Sequence, residues 1–241
     1  MNDVRIPIVG FTGSRVGVDP ALVNRAAWAT IRGGKHIATG CAQGVDSCVI
    51  RAALDAEAAE HLDVFSVFGL DASGHSAGHW FGSAVADVMA ADRAGATVHW
   101  WAGWKELPRY DWWSDTPNKP ISLAARLAMR STEMTEFVDQ GGLGRLYGTT
   151  MIGFPAKPCP KKLRRPSRHW KGGSGSGTWA TLHLAAGLRM QVIVFAPDGD
   201  KNNLPRWGGG QWVRLAGRRP KSVWFQAFRW RSPEVVNWRD N

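Results

Sequence analysis

Apolar residues along the chain come in two rhythms, short unbroken runs and longer stretches spaced three or four apart, and the two alternate almost to residue 196. An unbroken run marks a strand buried on both faces, as in a parallel sheet; the wider spacing marks an amphipathic helix. Residues 4–11 read as the first strand. Asp19 at the N-cap and Pro20 in the first turn open a helix to about residue 31, Gly33-Gly34 stops it, and residues 36–40 form the second strand. A helix over 47–59, a strand over 63–69, a helix over 81–93 and a strand over 96–101 continue the alternation.

Residues 101–120 carry Pro108, Pro117 and Pro120 among tryptophans and charges, which predicts a long irregular connection. Helix returns over 121–130. Residues 133–138 suggest a strand and 145–154 a hairpin or loop insertion, followed by a helix over 179–188 and a strand over 190–195. The expected fold is α/β: a doubly wound, mostly parallel Rossmann-like sheet in residues 1–197. Residues 198–241 read as a basic, Trp- and Arg-rich extension packed on that domain, with strand-like pieces at 211–215 and 222–230. In the second piece Trp224, Gln226, Phe228 and Trp230 alternate onto one face, and packing is favoured over contact with nucleic acid.

Three glycine-bearing turns stand where strands give way to helices. The first is Gly13-Ser14-Arg15, the second runs from Gly40 through Cys41, Ala42 and Gly44 to Asp46, and the third runs from Gly172 through Gly175, Ser176 and Gly177 to Thr178. Loops with so little side-chain bulk let backbone N–H groups converge on an anion, and a helix N-terminus adds its positive dipole end. For the third turn a flexible linker is the alternative. For Asp46 the alternatives are a helix N-cap and a carboxylate that holds a ribose hydroxyl or polarises a ligand.

Charge sharpens this picture. Thirty Lys and Arg against twenty Asp and Glu leave a formal net charge of +10, which points to polyanions, with an anionic membrane surface as the lesser option. Lys157, Lys161, Lys162, Arg164, Arg165, Arg168 and Lys171 crowd the segment just before the third turn, with no acidic residue among them. Cations there raise local polyanion concentration and make binding salt-dependent; a solvated loop is the plainer reading. Cys41, Cys48 and Cys159 form no disulfide framework and no zinc-type pair, and His75 and His79 sit among glycines without a third ligand, so no metal or cofactor is expected. No apolar run reaches membrane-spanning length, so a cytoplasmic location without a membrane partner is expected. The fourteen tryptophans read mainly as core and interface fillers.

The stretches Ile8-Val9-Gly10-Phe11-Thr12-Gly13-Ser14-Arg15, Thr39-Gly40-Cys41-Ala42-Gln43-Gly44-Val45-Asp46 and Gly175-Ser176-Gly177-Thr178-Trp179-Ala180-Thr181 come in an order that resembles the SLOG superfamily, which includes DprA/Smf-like and LOG-like Rossmannoid proteins. The resemblance implies glycine loops that bind a nucleotide or the backbone of single-stranded DNA. It also implies that Arg126 is the arginine directed into that pocket. Thr181 stands where LOG-type hydrolases carry a glutamate, which removes their acid/base group and leaves Asp46 as the only catalytic carboxylate to consider.

The expected activity is therefore recognition of phosphate in single-stranded nucleic acid or a nucleotide by a non-enzymatic protein. A nucleotide-processing enzyme at the same pocket, N-glycosidase or phosphoribohydrolase-like, is the alternative. So is a component of a homo-oligomer or larger assembly.

Overall fold

A computed structural model describes residues 6–102, 122–141, 149–163, 165–215 and 222–232. Ten strands and five α-helices are found among them. The chain runs β1 (Ile8–Gly13), α1 (Pro20–Arg32), β2 (His36–Thr39), α2 (Val45–Asp55), β3 (Leu62–Phe65), β4 (Gly69–Leu70), β5 (Ser76–Ala77), α3 (Val85–Arg93) and β6 (Thr97–His99). It continues with α4 (Leu123–Gly141), β7 (Thr150–Phe154), α5 (Gly177–Gly187), β8 (Gln191–Phe195), β9 (Gln211–Arg214) and β10 (Ala227–Arg231).

Eight of the strands form one sheet in the order β6, β3, β2, β1, β7, β8, β10, β9. The six from β6 to β8 are parallel; β10 runs antiparallel to β8, and β9 antiparallel to β10. Strands β4 and β5 pair separately. Val9 and Phe11 of β1 share a buried cluster with Val23 and Ala27 of α1, Val49 and Ile50 of α2 and Val88 of α3. Met151 of β7, Ala38 of β2 and Val192 of β8 pack with Met134 of α4 and with Trp179 and Leu182 of α5. Helices therefore cover both faces, which is why the central strands are apolar on both sides.

Local chemistry explains the well-read elements. Asp19 Oδ1 accepts from Ala21 N–H at 3.0 Å, Pro20 occupies the first turn, and buried Val23, Ala26, Ala27 and Thr30 keep helical spacing in α1. Two expectations need correction. Residues 133–138 are not a strand but the second half of α4, where Thr132 and Thr135 donate their hydroxyls to the carbonyls of Ala128 and Ser131, four residues back. Such bonds satisfy the hydroxyls and are tolerated in a helix interior, while burial of Met134, Thr135 and Val138 holds this half in place. Residues 150–154 are not a hairpin or insertion but central strand β7, between β1 and β8.

The C-terminal strands extend the sheet, and the expected alternation over 224–230 breaks within it. Residues Val223–Gln226 form a 3-10 turn, so Trp224 packs against Phe195 with the first cluster while Phe228 and Trp230 belong to the second. Trp207, Trp212 and Trp230 meet one another with ring centroids 5.4 to 5.6 Å apart. Buried Asp63 of β3 ties three strands together, with His36 Nε2 at 2.6 Å, poorly aligned, and His99 Nε2 at 2.7 Å. Burial pushes this carboxyl up, but the two imidazoles outweigh it and hold it below the ordinary carboxylate range. No helix among the described residues is long and apolar enough to cross a membrane.

Candidate phosphate-binding rim

Strand order reverses at β1: β2 and β3 lie to one side, β7 and β8 to the other. Chain leaving neighbouring strands in opposite directions opens a crevice at their carboxyl ends, the usual ligand position in open α/β sheets. Hydrogen bonds tie the turns at this edge together. Ser14 N–H donates to Phe154 O at 3.0 Å, Ala156 N–H to Ser14 Oγ at 2.9 Å, and Val45 N–H to Ser14 O at 3.3 Å. Trp179 Nε1–H donates to Lys157 O at 2.8 Å and so fixes the start of α5 to the segment leaving β7.

The glycines at this edge serve two different ends. A β-carbon on Gly13 would lie 2.3 Å from Val45 Cγ2, on Gly44 2.4 Å from Arg15 O, and on Gly40 1.4 Å from Arg130 Nη1. Those three make room for the protein's own atoms. At Gly173, Gly175 and Gly177 a β-carbon would meet nothing within 4 Å. Ser176 caps α5 by accepting from Trp179 N–H at 3.3 Å, so the N–H groups of Gly177 and Thr178 are the ones the helix leaves unsatisfied. Gly177 is exposed at the positive end of the helix dipole, whereas Thr178 is buried.

Beneath the second turn lies a buried ion pair. Asp46, the second residue of α2 rather than its cap, accepts from Ala42 N–H at 3.1 Å and sits 3.5 Å from Arg130 Nη1. Both are less than a tenth exposed. Burial pushes the Asp46 carboxyl up, and the Arg130 charge and the Ala42 N–H pull against that. Arg126, the arginine singled out from the sequence, lies one turn earlier on α4 and is half-buried, and Arg130 also reaches this edge, at Asp46. The signal for Arg130 was its place at i−4 and i−8 from buried Met134 and Val138, on the covered stripe of the helix.

The basic segment is held by its backbone. Besides the bond from Trp179 to Lys157, Trp207 Nε1–H donates to Leu163 O at 2.8 Å, and His183 Nε2 donates to Arg165 O. Three core aromatic groups thus fix three carbonyls, while Lys157, Lys161, Lys162, Arg165, Arg168 and Lys171 keep their side chains exposed. Arg164 lies outside the described residues. The result is a shaped cationic strip leading to Gly172. Sequence reasoning missed these three donors, all of which lie far along the chain from their acceptors.

The Cys41 thiol is pushed up by burial, and so is that of Cys159, to about 12. Thr181 Oγ1 donates to Gly177 O at 3.0 Å within its own helix. Among the described residues no three His, Cys, Asp or Glu side chains are grouped to hold a metal ion. No family model, no curated protein and no solved structure matches the chain.

Proposed function

We propose that this chain is a phosphate-recognising binding protein for single-stranded nucleic acid or a nucleotide, built on a doubly wound Rossmann-like domain of the SLOG type. The observation that carries the reading is the junction of two features. An open glycine loop at the N-terminus of α5 stands at the end of a cationic strip whose backbone is anchored to the core. Unsatisfied N–H groups and a helix dipole select an anion, and a fixed run of cations extends that selection along a phosphate chain. Binding is favoured over turnover because Asp46 already answers to Arg130 and Ala42.

The test is fluorescence anisotropy with a labelled thymidine oligomer across a salt series. The affinity is expected to fall by orders of magnitude between about 50 and 200 mM salt. Replacing Lys161 or Lys162 with alanine lowers the log–log salt slope by about one for each phosphate contact removed. Affinity that is absent at low salt, or indifferent to salt, overturns the proposal.

A further inference from the structure

The rim continues past the second glycine turn into a surface that phosphate recognition does not use. Residues 80–83 make a tight turn closed by Ser83 N–H to Trp80 O at 3.1 Å, with Gly82 at φ +105 in the third position, where such turns favour glycine. Phe81 stands at its tip, 101 % exposed. The turn is locked to the β2–α2 loop: Gln43 N–H donates to Gly82 O and Ala84 N–H to Cys41 O, both at 2.8 Å, and Ala42 bridges Ser83. Phe81 is thus a fully exposed ring on a rigid mount, attached to one of the loops that shape the phosphate edge.

Around the ring, polar and cationic groups stand beside apolar ones. An open depression of about 440 Å³ is lined by Phe81 itself together with Gln43, His79, Trp80, Gly82, Ser83 and Val85. A β-carbon on Gly82 would lie 3.3 Å from Arg15 Nη1 and 3.5 Å from Trp80 Nε1, so the Arg15 guanidinium reaches the same spot. Trp80 Nε1–H is buried without an acceptor. No acidic residue occurs between His79 and Val85. A planar base has a ring to stack on, an amide at Gln43 for its edge, and a cation for the phosphate beside it.

We propose that Phe81 is the stacking platform of a nucleobase subsite, with Arg15 contacting the adjoining phosphate and Gln43 the base edge. The proposal rests on the phosphate-binding reading above and names the part of the ligand that reading leaves unassigned. Stacking on an exposed aromatic tolerates any base, so the subsite fits an unpaired strand of mixed sequence.

The experiment compares wild type, Phe81→Ala and Phe81→Trp against a thymidine oligomer and an abasic sugar-phosphate strand of equal length. Urea unfolding checks that the variants remain folded, and light scattering follows self-association. Phe81→Ala is expected to weaken the thymidine oligomer roughly 5- to 150-fold, the span of base–aromatic stacking. It leaves the abasic strand unaffected, and Phe81→Trp restores binding. Equal affinity of wild type for the two strands, with Phe81→Ala neutral, overturns the subsite and leaves the phosphate reading standing. Binding to neither strand overturns both. Self-association of wild type that Phe81→Ala abolishes makes the ring a contact between copies and also overturns the subsite.

Discussion

Replacing Gly40 with alanine tests the buried pair beneath the second turn. Gly40 has no positive φ, so a methyl there meets no backbone penalty and by itself would stabilise by about 0.4–1 kcal/mol through a less free unfolded chain. Sterics reverse the sign. The new carbon would lie 1.4 Å from Arg130 Nη1 and 2.4 Å from Asp46 Oδ2, so the guanidinium must leave. That strands a buried carboxylate, and breaking such a pair costs about 3–5 kcal/mol. A domain of this kind has roughly 5–15 kcal/mol in all, so the loss is measurable without abolishing the fold.

The assay is urea unfolding of Gly40→Ala in two backgrounds, wild type and the double variant Arg130→Ala with Asp46→Ala. In the first the midpoint drops by the full cost. In the second both obstructing side chains are gone and the methyl enters the vacated space, so Gly40→Ala costs less than about 1 kcal/mol. A small loss in wild type, or an equal loss in both backgrounds, refutes the placement of Arg130 under Gly40.

Two further outcomes follow from the anchoring of the basic segment. Burial, aided by the Lys171 charge and opposed by the Arg165 carbonyl, lowers the His183 pKa below its ordinary value of 6.5. The neutral ring therefore stabilises the fold fully above pH 6.5, and that contribution is lost as the pH falls through the lowered folded pKa. Thermal melts of wild type and His183→Gln across this window show a steeper acid-side loss in wild type; parallel curves refute it. Trp207→Phe deletes the donor to Leu163 O, costs about 1–3 kcal/mol for the stranded buried carbonyl, and speeds tryptic cleavage after Lys161 and Lys162. Unchanged cleavage shows that the indole is not what holds the strip.

How much of this was legible in the sequence depends on how far each determinant reaches. The start of α1 was readable because Asp19, Pro20 and the apolar spacing that follows act within a turn or two. The second half of α4 was not, since packing of Met134 and Val138 against β7 and α5 overrides a strand-like local composition, and that packing comes from distant parts of the chain. Strand β7 was obscured by Gly153, whose missing side chain reads as a turn. In the fold it makes room for Leu182 of α5, which would lie 2.5 Å from a β-carbon there. The same distinction divides the rim.

The glycine turns were visible as composition, but composition does not say whether a missing β-carbon admits a ligand or a neighbour. Gly13, Gly40 and Gly44 admit Val45, Arg130 and Arg15, while the loop before α5 admits nothing of the protein. The basic segment shows the converse case. Its charges were plain, yet its order comes from Trp179, Trp207 and His183, which lie twenty-two, forty-four and eighteen residues from the carbonyls they hold. Trp179, Trp207 and His183 each set a ring N–H against a carbonyl of this segment, as buried donors generally do. Trp179 and Trp207 thus act as core fillers that hold the basic segment through their ring N–H groups, and among the described residues Phe81 is a fully exposed aromatic ring beside the rim.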